Sequence, residues 1–582
     1  MIDRFLARAA FESYEDFIAN YKVTAPDNFN FGFDVVDAWA ERDPQKRALL
    51  WCDDHGGEAD MSFSDMRAAS ARAANFFKDI GIRKGDFVML ILKQRYEYWI
   101  CAVALHKIGA VMIPAVSQLT RKDIEYRANA ADVSAIVALD EPALIAAIRG
   151  ALPNSPTVRH VVVVRTGIGD GTAAATNAAD TATATGATDT AGAGFYDFHA
   201  EAAKRPDTFA RPSGSEATKA TDYLLLYFTS GTTGMPKMVM HDHTYPLGHI
   251  TTARYWQRAQ DGGLHLTVSD SGWAKFGWGK IYGQWLSGAA IFAYDMDRFV
   301  PKNMLAVLEK YPITTFCAPP TMYRFMLQED ISAYDLSSII HFSTAGEPLN
   351  PEVYNQWAAR TGLGILEGFG QSESSVICAN FEWFPQKPGS MGKPSPLYDV
   401  AILDEQLEPC EEGVEGHIVV RGLERGAPPG LFMFYYKDEG LTKKVWHDGC
   451  YDTGDIAWED TDGYFWFVGR DDDIIKCSGY RIGPFEVESA LLEHPAVVEC
   501  AVTASPDPIR GQVVKATVVL AKGNEPSDGL VKELQRHVKK VTAPYKYPRI
   551  VEFVDELPKT IGGKIKRNLI REASRKESEA RG

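Results

Sequence analysis

Unbroken apolar runs alternate with helical patterns through the first half of the chain. Phe87 to Leu92, Ala110 to Pro114, Ala135 to Leu139, Val158 to Val164 and Tyr223 to Phe228 each read as a strand buried on both faces. A helix is predicted from a cap at Ser64, with Met66, Ala69, Ala73, Phe76 and Phe77 on one face and Gly81 as its stop. Tyr96 to Lys107 predicts another. Continuous apolar strands separated by helices predict an α/β fold with layered sheets and mainly parallel pairing.

The pattern changes toward the C-terminus. Glu486–Leu492 and Leu530–Lys540 read as helices, the second capped by Asp528, and Val497–Val502 and Val513–Leu520 as strands. This is a smaller α+β unit. A chain of 582 residues is too long for one core, so a large multi-subdomain N-terminal domain with a small mobile C-terminal domain is expected. Thr166 to Gly194 is almost all Ala, Thr, Gly, Asp and Asn. It lacks the large side chains that offset ordering entropy, and reads as a flexible surface insertion. Phe29 to Phe33 read as packing residues. Tyr98 to Val116 is the most apolar long segment, but His106, Lys107 and Pro114 interrupt it, so it reads as helix then strand and no integral membrane segment is expected.

Bulk chemistry narrows the function. A net charge of −16 argues against general nucleic-acid binding, which needs clustered Lys and Arg. Eight cysteines without a CxxC pair indicate neither zinc nor a redox motif, and suit a reducing compartment. The first residues carry no apolar signal core. A cytoplasmic enzyme is the expectation from these features. His241-Asp242-His243 has the composition of a metal site, but such a cluster more often caps the following helix. Cys317 has no activating His nearby in sequence and reads as a small pocket wall. No feature of the sequence specifies an oligomeric state.

The chemistry concentrates in a few strings. Thr229-Ser230-Gly231-Thr232-Thr233-Gly234-Met235-Pro236-Lys237 leaves the strand ending at Phe228. Glycines bring backbone amides close to an anion, hydroxyls add donors without bulk, and Lys237 adds a mobile charge suited to phosphate. The spacing is not that of a Walker A loop, whose glycines stand further apart. Later come Gly346-Glu347-Pro348, Glu367-Gly368-Phe369-Gly370-Gln371-Ser372-Glu373, Tyr451-Asp452-Thr453-Gly454-Asp455, Gly469-Arg470-Asp471-Asp472 through Ser478-Gly479-Tyr480-Arg481, and Pro558-Lys559-Thr560-Ile561-Gly562-Gly563-Lys564. Trp273, Lys275 and Trp278 stand among glycines, a composition that shapes a concave apolar pocket.

Taken in order, these strings resemble the adenylate-forming superfamily of acyl- and aryl-CoA synthetases, adenylation domains and luciferases. Trp273-Ala274-Lys275, Thr315 to Pro319 and Ala543-Pro544-Tyr545-Lys546-Tyr547-Pro548 look most like its medium-chain acyl-CoA synthetases. The resemblance spans the chain apart from Thr166–Gly194. It implies that Thr229 to Gly234 and Lys237 hold the ATP phosphates. Gly346 to Pro348, Glu367, Gly368, Phe369 and Ser372 border the adenylate; the family usually has Thr at Ser372. Asp455 accepts the ribose hydroxyls and Arg470 contacts ribose or phosphate. Glu373 and Thr233 hold Mg²⁺. Lys564 is the catalytic lysine, together with Glu373, although Ser is commoner in the family where Gly562 stands. Asp472 is the hinge, dividing 1–471 from 472–582. Ser478, Gly479, Tyr480 and Arg481 line the CoA path. Trp273, Lys275, Trp278, Cys317 and Gly370 wall the acyl pocket.

The implied reaction is ATP-dependent activation of a short, branched or medium-chain carboxylic acid to acyl-AMP, then transfer to CoA, with ATP and CoA as cosubstrates and Mg²⁺ as cofactor. The alternatives are an acyl-AMP ligase that loads a carrier protein, an aryl-CoA ligase of the benzoate type, and a catalytically idle nucleotide sensor.

Overall fold

The computed structural model describes residues 1–165, 185–188, 193–229, 235–477, 480–507, 510–559 and 565–581. A large N-terminal domain of helices and sheets is followed by a smaller C-terminal one. Two nine-stranded sheets dominate the described residues. The first runs from Lys393–Pro394 at one edge through Cys378–Ala379, Ile365–Phe369, His341–Thr344, Thr315–Cys317, Leu264–Thr267, Ala290–Asp295 and Arg47–Asp53 to Glu58–Ser62. The second runs from Phe434–Tyr435 through Lys237–Asp242, Tyr223–Thr229, Val111–Pro114, Phe87–Ile91, Val133–Leu139 and His160–Val164 to Gly194–Asp197 and Thr185–Thr188. Both are parallel in the middle and antiparallel at the edges. The apolar runs account for this. Phe87–Ile91, Val111–Pro114 and Val133–Leu139 are buried at every position, as strands covered by helices on both faces must be.

The helix Glu97–Ile108 is buried along its whole length and ends at Gly109, whose φ of 75° is the left-handed stop that glycine permits. Its polar residues find partners inside the protein. Lys107 pairs with Asp37 at 2.7 Å, Glu97 with Arg95 and His199, and His106 with the Tyr282 hydroxyl. No helix among the described residues is long and apolar enough to cross a membrane.

Three local expectations change. The helix Phe63–Asp79 is capped by Ser62, not Ser64, because Ser62 and Asp65 form a reciprocal capping box. Ser527, not Asp528, caps Asp528–Val541. Most of Thr166–Gly194 lies outside the described residues, but Thr185–Thr188 pairs antiparallel with Gly194–Asp197 as an edge strand, so backbone pairing recruits part of a stretch that its composition assigns to a loop. Phe29 and Phe31 are fully buried, as packing residues should be.

A third, antiparallel sheet joins Asp399–Leu403, Gly416–Arg421, Cys450–Glu459, Trp446–His447 and Phe465–Arg470. A fourth, near the C-terminus, joins Tyr480–Ile482, Ile475–Cys477, Gly511–Leu520, Val497–Asp507 and Ile550–Phe553. Its core of Ile475, Val487, Leu491, Val502, Val514, Val518, Leu534 and Val538 is separate from that of the large sheets.

Candidate active site

A cleft of about 1450 Å³ opens where the parallel strands of both large sheets end. Ligands of open α/β sheets bind outside the carboxyl ends of the strands, and the motif residues sit there for that topological reason. Trp273 and Lys275 follow Leu264–Thr267, Gly346 to Pro348 follow His341–Thr344, Gly370 to Glu373 follow Ile365–Phe369, and Thr229 ends Tyr223–Thr229. The third sheet adds Asp452 to Asp455 and Arg470 from the opposite side.

The feet of the phosphate-loop string are cross-strand neighbours: Thr229 pairs with Lys237 in the antiparallel register, and both border the cleft. Ser230, Gly231, Thr232, Thr233 and Gly234 lie outside the described residues.

The strongest convergence surrounds Gln371. Its amide Nε2 donates to Asp455 Oδ2 at 2.5 Å and to the Thr453 carbonyl at 2.8 Å, and its Oε1 accepts from the Tyr451 hydroxyl at 2.5 Å. Asp455 faces Arg470 across the antiparallel pair, and Arg470 Nε donates to Asp472 at 3.0 Å. Burial works against the Arg470 charge, but Asp455 and Asp472 outweigh it and raise its pKa. Two residues along, Glu373 accepts from the Tyr435 hydroxyl at 2.8 Å. Burial and the Glu373 carboxylate together push the Tyr435 phenol far up, so it is a permanent donor. The turn between them is fixed from behind: His241 Nε2 lies 2.7 Å from the Ser372 carbonyl. Burial lowers the His241 pKa to about 3, so a neutral ring donates this bond.

His241-Asp242-His243 is thus a structural cluster. Asp242 accepts from Thr244 N at 2.9 Å in the turn that enters Tyr245–Ile250, and among the described residues no group of three or more His, Cys, Asp or Glu could hold a metal. Glu373 is different. No lysine or arginine forms an ion pair with it among the described residues, and its partner Tyr435 is a neutral donor. A hard carboxylate on a cleft that Lys237 and Arg470 also border suits Mg²⁺, which takes one or two carboxylates and keeps phosphate and water oxygens.

Gly346 has a φ of 98°, so only glycine turns the chain there without strain. Glu347 beside it accepts from the Thr321 hydroxyl at 3.1 Å. Glu367 Oε2 accepts from Leu349 N at 3.1 Å, holding the Gly346–Pro348 turn against the neighbouring strand; burial raises its pKa well above the carboxylate range.

The apolar end of the cleft is built on Ala274–Gly279. Trp278 is held by its Nε1, which donates to the Ser374 carbonyl at 3.1 Å, and its ring covers Gly370 so closely that a Cβ there would lie 2.4 Å from Cη2. Trp256 stands edge-on to it at 6.1 Å and packs on Gly368. Lys275 Nζ donates to the Ala345 carbonyl at 2.9 Å, and burial lowers its pKa. Trp273 also borders this end. Cys317 does not. It is fully buried within Thr315–Cys317 and does not border the cleft, because that strand lies in the middle of its sheet.

The small domain turns one face to the cleft. Ile565, Arg567 and Arg571 border it, Asn350 Nδ2 donates to the Ser489 carbonyl at 3.3 Å, and Lys559 Nζ lies 5.7 Å from the Phe325 ring centroid. Lys564 falls in 560–564, outside the described residues. The flanks are firmly held. Lys559 bridges to Ile565, Lys559 Nζ pairs with Glu499 at 2.6 Å, and Arg567 clasps Glu488 with bonds of 2.7 and 2.8 Å. Tyr480 and Arg481 lie away from the cleft. Tyr480 is half exposed and stacks on Tyr545 at 4.1 Å, and Arg481 donates to Asp471 at 3.3 Å. Ser478 and Gly479 lie outside the described residues.

Tyr435 borders the site but the sequence reading did not single it out, and Gln371 and Tyr451 received no role there although both stood inside quoted motifs. His241 was read as part of a helix-capping cluster; Tyr435 sits in an ordinary aromatic run, where only the fold reveals its partner.

The family model for AMP-binding enzymes matches residues 36–436, and that for the AMP-binding enzyme C-terminal domain matches 486–564. The mitochondrial acyl-coenzyme A synthetase ACSM3 of Mus musculus is 41% identical over 96% of this chain and 93% of its own length. The mitochondrial ACSM4 of Homo sapiens is 43% identical over 94% and 91%. Among solved structures, the anthranilate CoA ligase AuaEII in complex with anthranoyl-AMP superposes with a TM-score of 0.83 at 27% identity, covering 96% of this chain and 99% of that one. A Brucella canis acyl-CoA synthetase gives 0.69 at 29%, covering 98% and 100%. These curated relatives are named as mitochondrial, which overturns the expectation of a cytoplasmic enzyme. The missing apolar core at the first residues bears on secretion and does not separate cytoplasm from an organelle.

Proposed function

The chain belongs to the AMP-binding enzyme family, and from that premise we propose that it is an AMP-forming acid–CoA ligase acting on a short, branched or medium-chain carboxylic acid. The observation that carries the reading is the convergence of Lys237, Glu373, Asp455 and Arg470 on one cleft whose other end is apolar and floored by Trp278. A nucleotide and an acid fit there side by side.

In the first half-reaction a carboxylate oxygen of the acid attacks the α-phosphorus of ATP and pyrophosphate leaves. Asp455 accepts the ribose hydroxyls, Arg470 and Lys237 lie along the phosphates, and Lys564 brings charge to the α-phosphate as the transition state forms. Glu373 and Thr233 would hold Mg²⁺, which supplies positive charge against the phosphate oxygens when bound. In the second half-reaction the CoA sulfur attacks the acyl carbon, AMP leaves and the thiol proton is lost to solvent.

The two-face geometry supports a rotation between the steps. Ile565, Arg567 and Arg571 of the small domain border the cleft while Tyr480 and Arg481 are exposed. A turn about Asp472, dividing 1–471 from 472–582, would exchange them. The aromatic wall of Trp273, Trp278 and Phe369 favours a flat aromatic acid as second reading.

The test is incubation with ATP, Mg²⁺ and a panel of aliphatic and aromatic acids, with and without CoA. AMP release that requires both acid and CoA supports the ligase. Adenylate that accumulates regardless of CoA supports a carrier-loading enzyme instead.

A further inference from the structure

Tyr435 stands between two charged residues of the cleft. It is 3% exposed and lies on the edge strand Phe434–Tyr435, paired with Val239 of Lys237–Asp242. Its hydroxyl donates to Glu373 Oε1 at 2.8 Å. Lys237 Nζ sits 5.3 Å from its ring centroid. The ring is locked by Phe432, with centroids 5.0 Å apart, and its backbone N–H donates to the Thr442 hydroxyl at 3.0 Å. One rigid side chain therefore touches the carboxylate with its edge and the ammonium with its face.

We infer that Tyr435 is a positioning residue that sets Glu373 for a divalent cation and Lys237 for the nucleotide phosphates. The inference rests on the assignment of Glu373 as the metal-holding carboxylate. A carboxylate on a flexible side chain loses rotamer freedom when it binds a cation, and a fixed hydroxyl removes that loss beforehand. A lysine over an aromatic face is held near its working place without being neutralised by a carboxylate, so its full charge stays available to phosphate. The two contacts use different parts of the side chain, so substitutions separate them. Tyr435→Phe keeps the ring and removes the donor. Tyr435→Leu removes both.

The experiment titrates Mn²⁺ by electron paramagnetic resonance into purified full-length protein with ATP, and measures metal-free ATP binding by calorimetry in EDTA. Wild type, Tyr435→Phe, Tyr435→Leu and Glu373→Gln are compared. Tyr435→Phe should weaken Mn²⁺ binding about tenfold, the scale of one hydrogen bond to a charged acceptor, and leave metal-free ATP binding unchanged. Tyr435→Leu should also weaken metal-free ATP binding, by roughly threefold to tenfold, as loss of the cation–π contact requires. The Km for the acid should not move in Tyr435→Phe, which a general packing defect would not spare. If Glu373→Gln weakens Mn²⁺ binding and Tyr435→Phe matches wild type, the proposal is overturned and the metal assignment stands. If Glu373→Gln itself binds Mn²⁺ like wild type, the metal assignment fails and the proposal falls with it.

Discussion

Gln371 donates its amide N–H to Asp455 at 2.5 Å, and with its bonds to Thr453 and Tyr451 it ties the Gly370–Glu373 turn of one sheet to the Cys450–Glu459 strand of another. On the proposed reading, the ribose carboxylate Asp455 and the metal carboxylate Glu373 are therefore spaced by a single side chain. Gln371→Leu keeps the volume and removes both the donor and the acceptor used by Tyr451. Kcat/Km for ATP should fall by about tenfold to a hundredfold, the cost of unmaking buried hydrogen bonds of which one is to a carboxylate, with the acid Km little changed. Pyrophosphate exchange at varied ATP and varied acid measures this.

Trp278, on the proposed reading, sets the depth of the acid site. Its ring is fixed by the Ser374 carbonyl and lies on Gly370, so it cannot swing aside for a longer chain. Trp278→Ala should shift the preferred acid toward greater length and cost about 3–5 kcal/mol of stability, as for a large buried aromatic. Gly370→Ala should raise the Km for every acid while the Km for ATP stays constant. Steady-state rates across a homologous series of acids decide both.

Lys280 is fully buried, with Gln94 as its side-chain hydrogen-bond partner, and burial depresses its pKa to about 7. Between that value and the usual lysine range near 10.4, the unfolded chain binds a proton that the folded one has released. Stability from this group therefore increases as pH rises through that window, and its penalty is greatest below pH 7. Lys280→Met should raise the melting temperature more at pH 6 than at pH 9.5. An equal rise at both would contradict the assignment.

Arg567 and Lys559 hold the ends of the 560–564 segment to Glu488 and Glu499, both within the small domain. Glu488→Gln should slow adenylate formation and spare thioester formation from supplied acyl-AMP, because the proposed mechanism uses Lys564 only in the first half-reaction. Burst kinetics on the two half-reactions separate the outcomes.

The sheet-forming segments were legible because buried parallel strands write themselves as continuous apolar runs: Phe87–Ile91 and Val133–Leu139 fall where periodicity puts them. The cleft residues were legible as strings because each cluster lies in or beside a strand end, as Gly346–Pro348 after His341–Thr344 and Gly370–Glu373 after Ile365–Phe369. What stayed hidden was tertiary. Tyr435 and Glu373 are 62 residues apart, and Gln371 and Asp455 are 84 apart, so no local pattern announces either bond. Cys317 shows the converse. A small cysteine with no activating His nearby suggests a wall, but the strand is interior and its side chain faces the core. Ser62 took the cap from Ser64 because the reciprocal partner, Asp65, stands three residues after Ser62.

The central claim is that one site primes an acid with nucleotide and then passes it to a thiol. The most direct measurement is single-turnover AMP and thioester formation by wild type and Lys564→Ala, starting either from acid and ATP or from preformed acyl-AMP. Starting from ATP, wild type should release AMP only when acid and CoA are also present; starting from acyl-AMP it should need CoA alone, and Lys564→Ala should lose the first step while completing the second. AMP release from ATP without acid, or equal loss of both steps in the variant, would contradict the account.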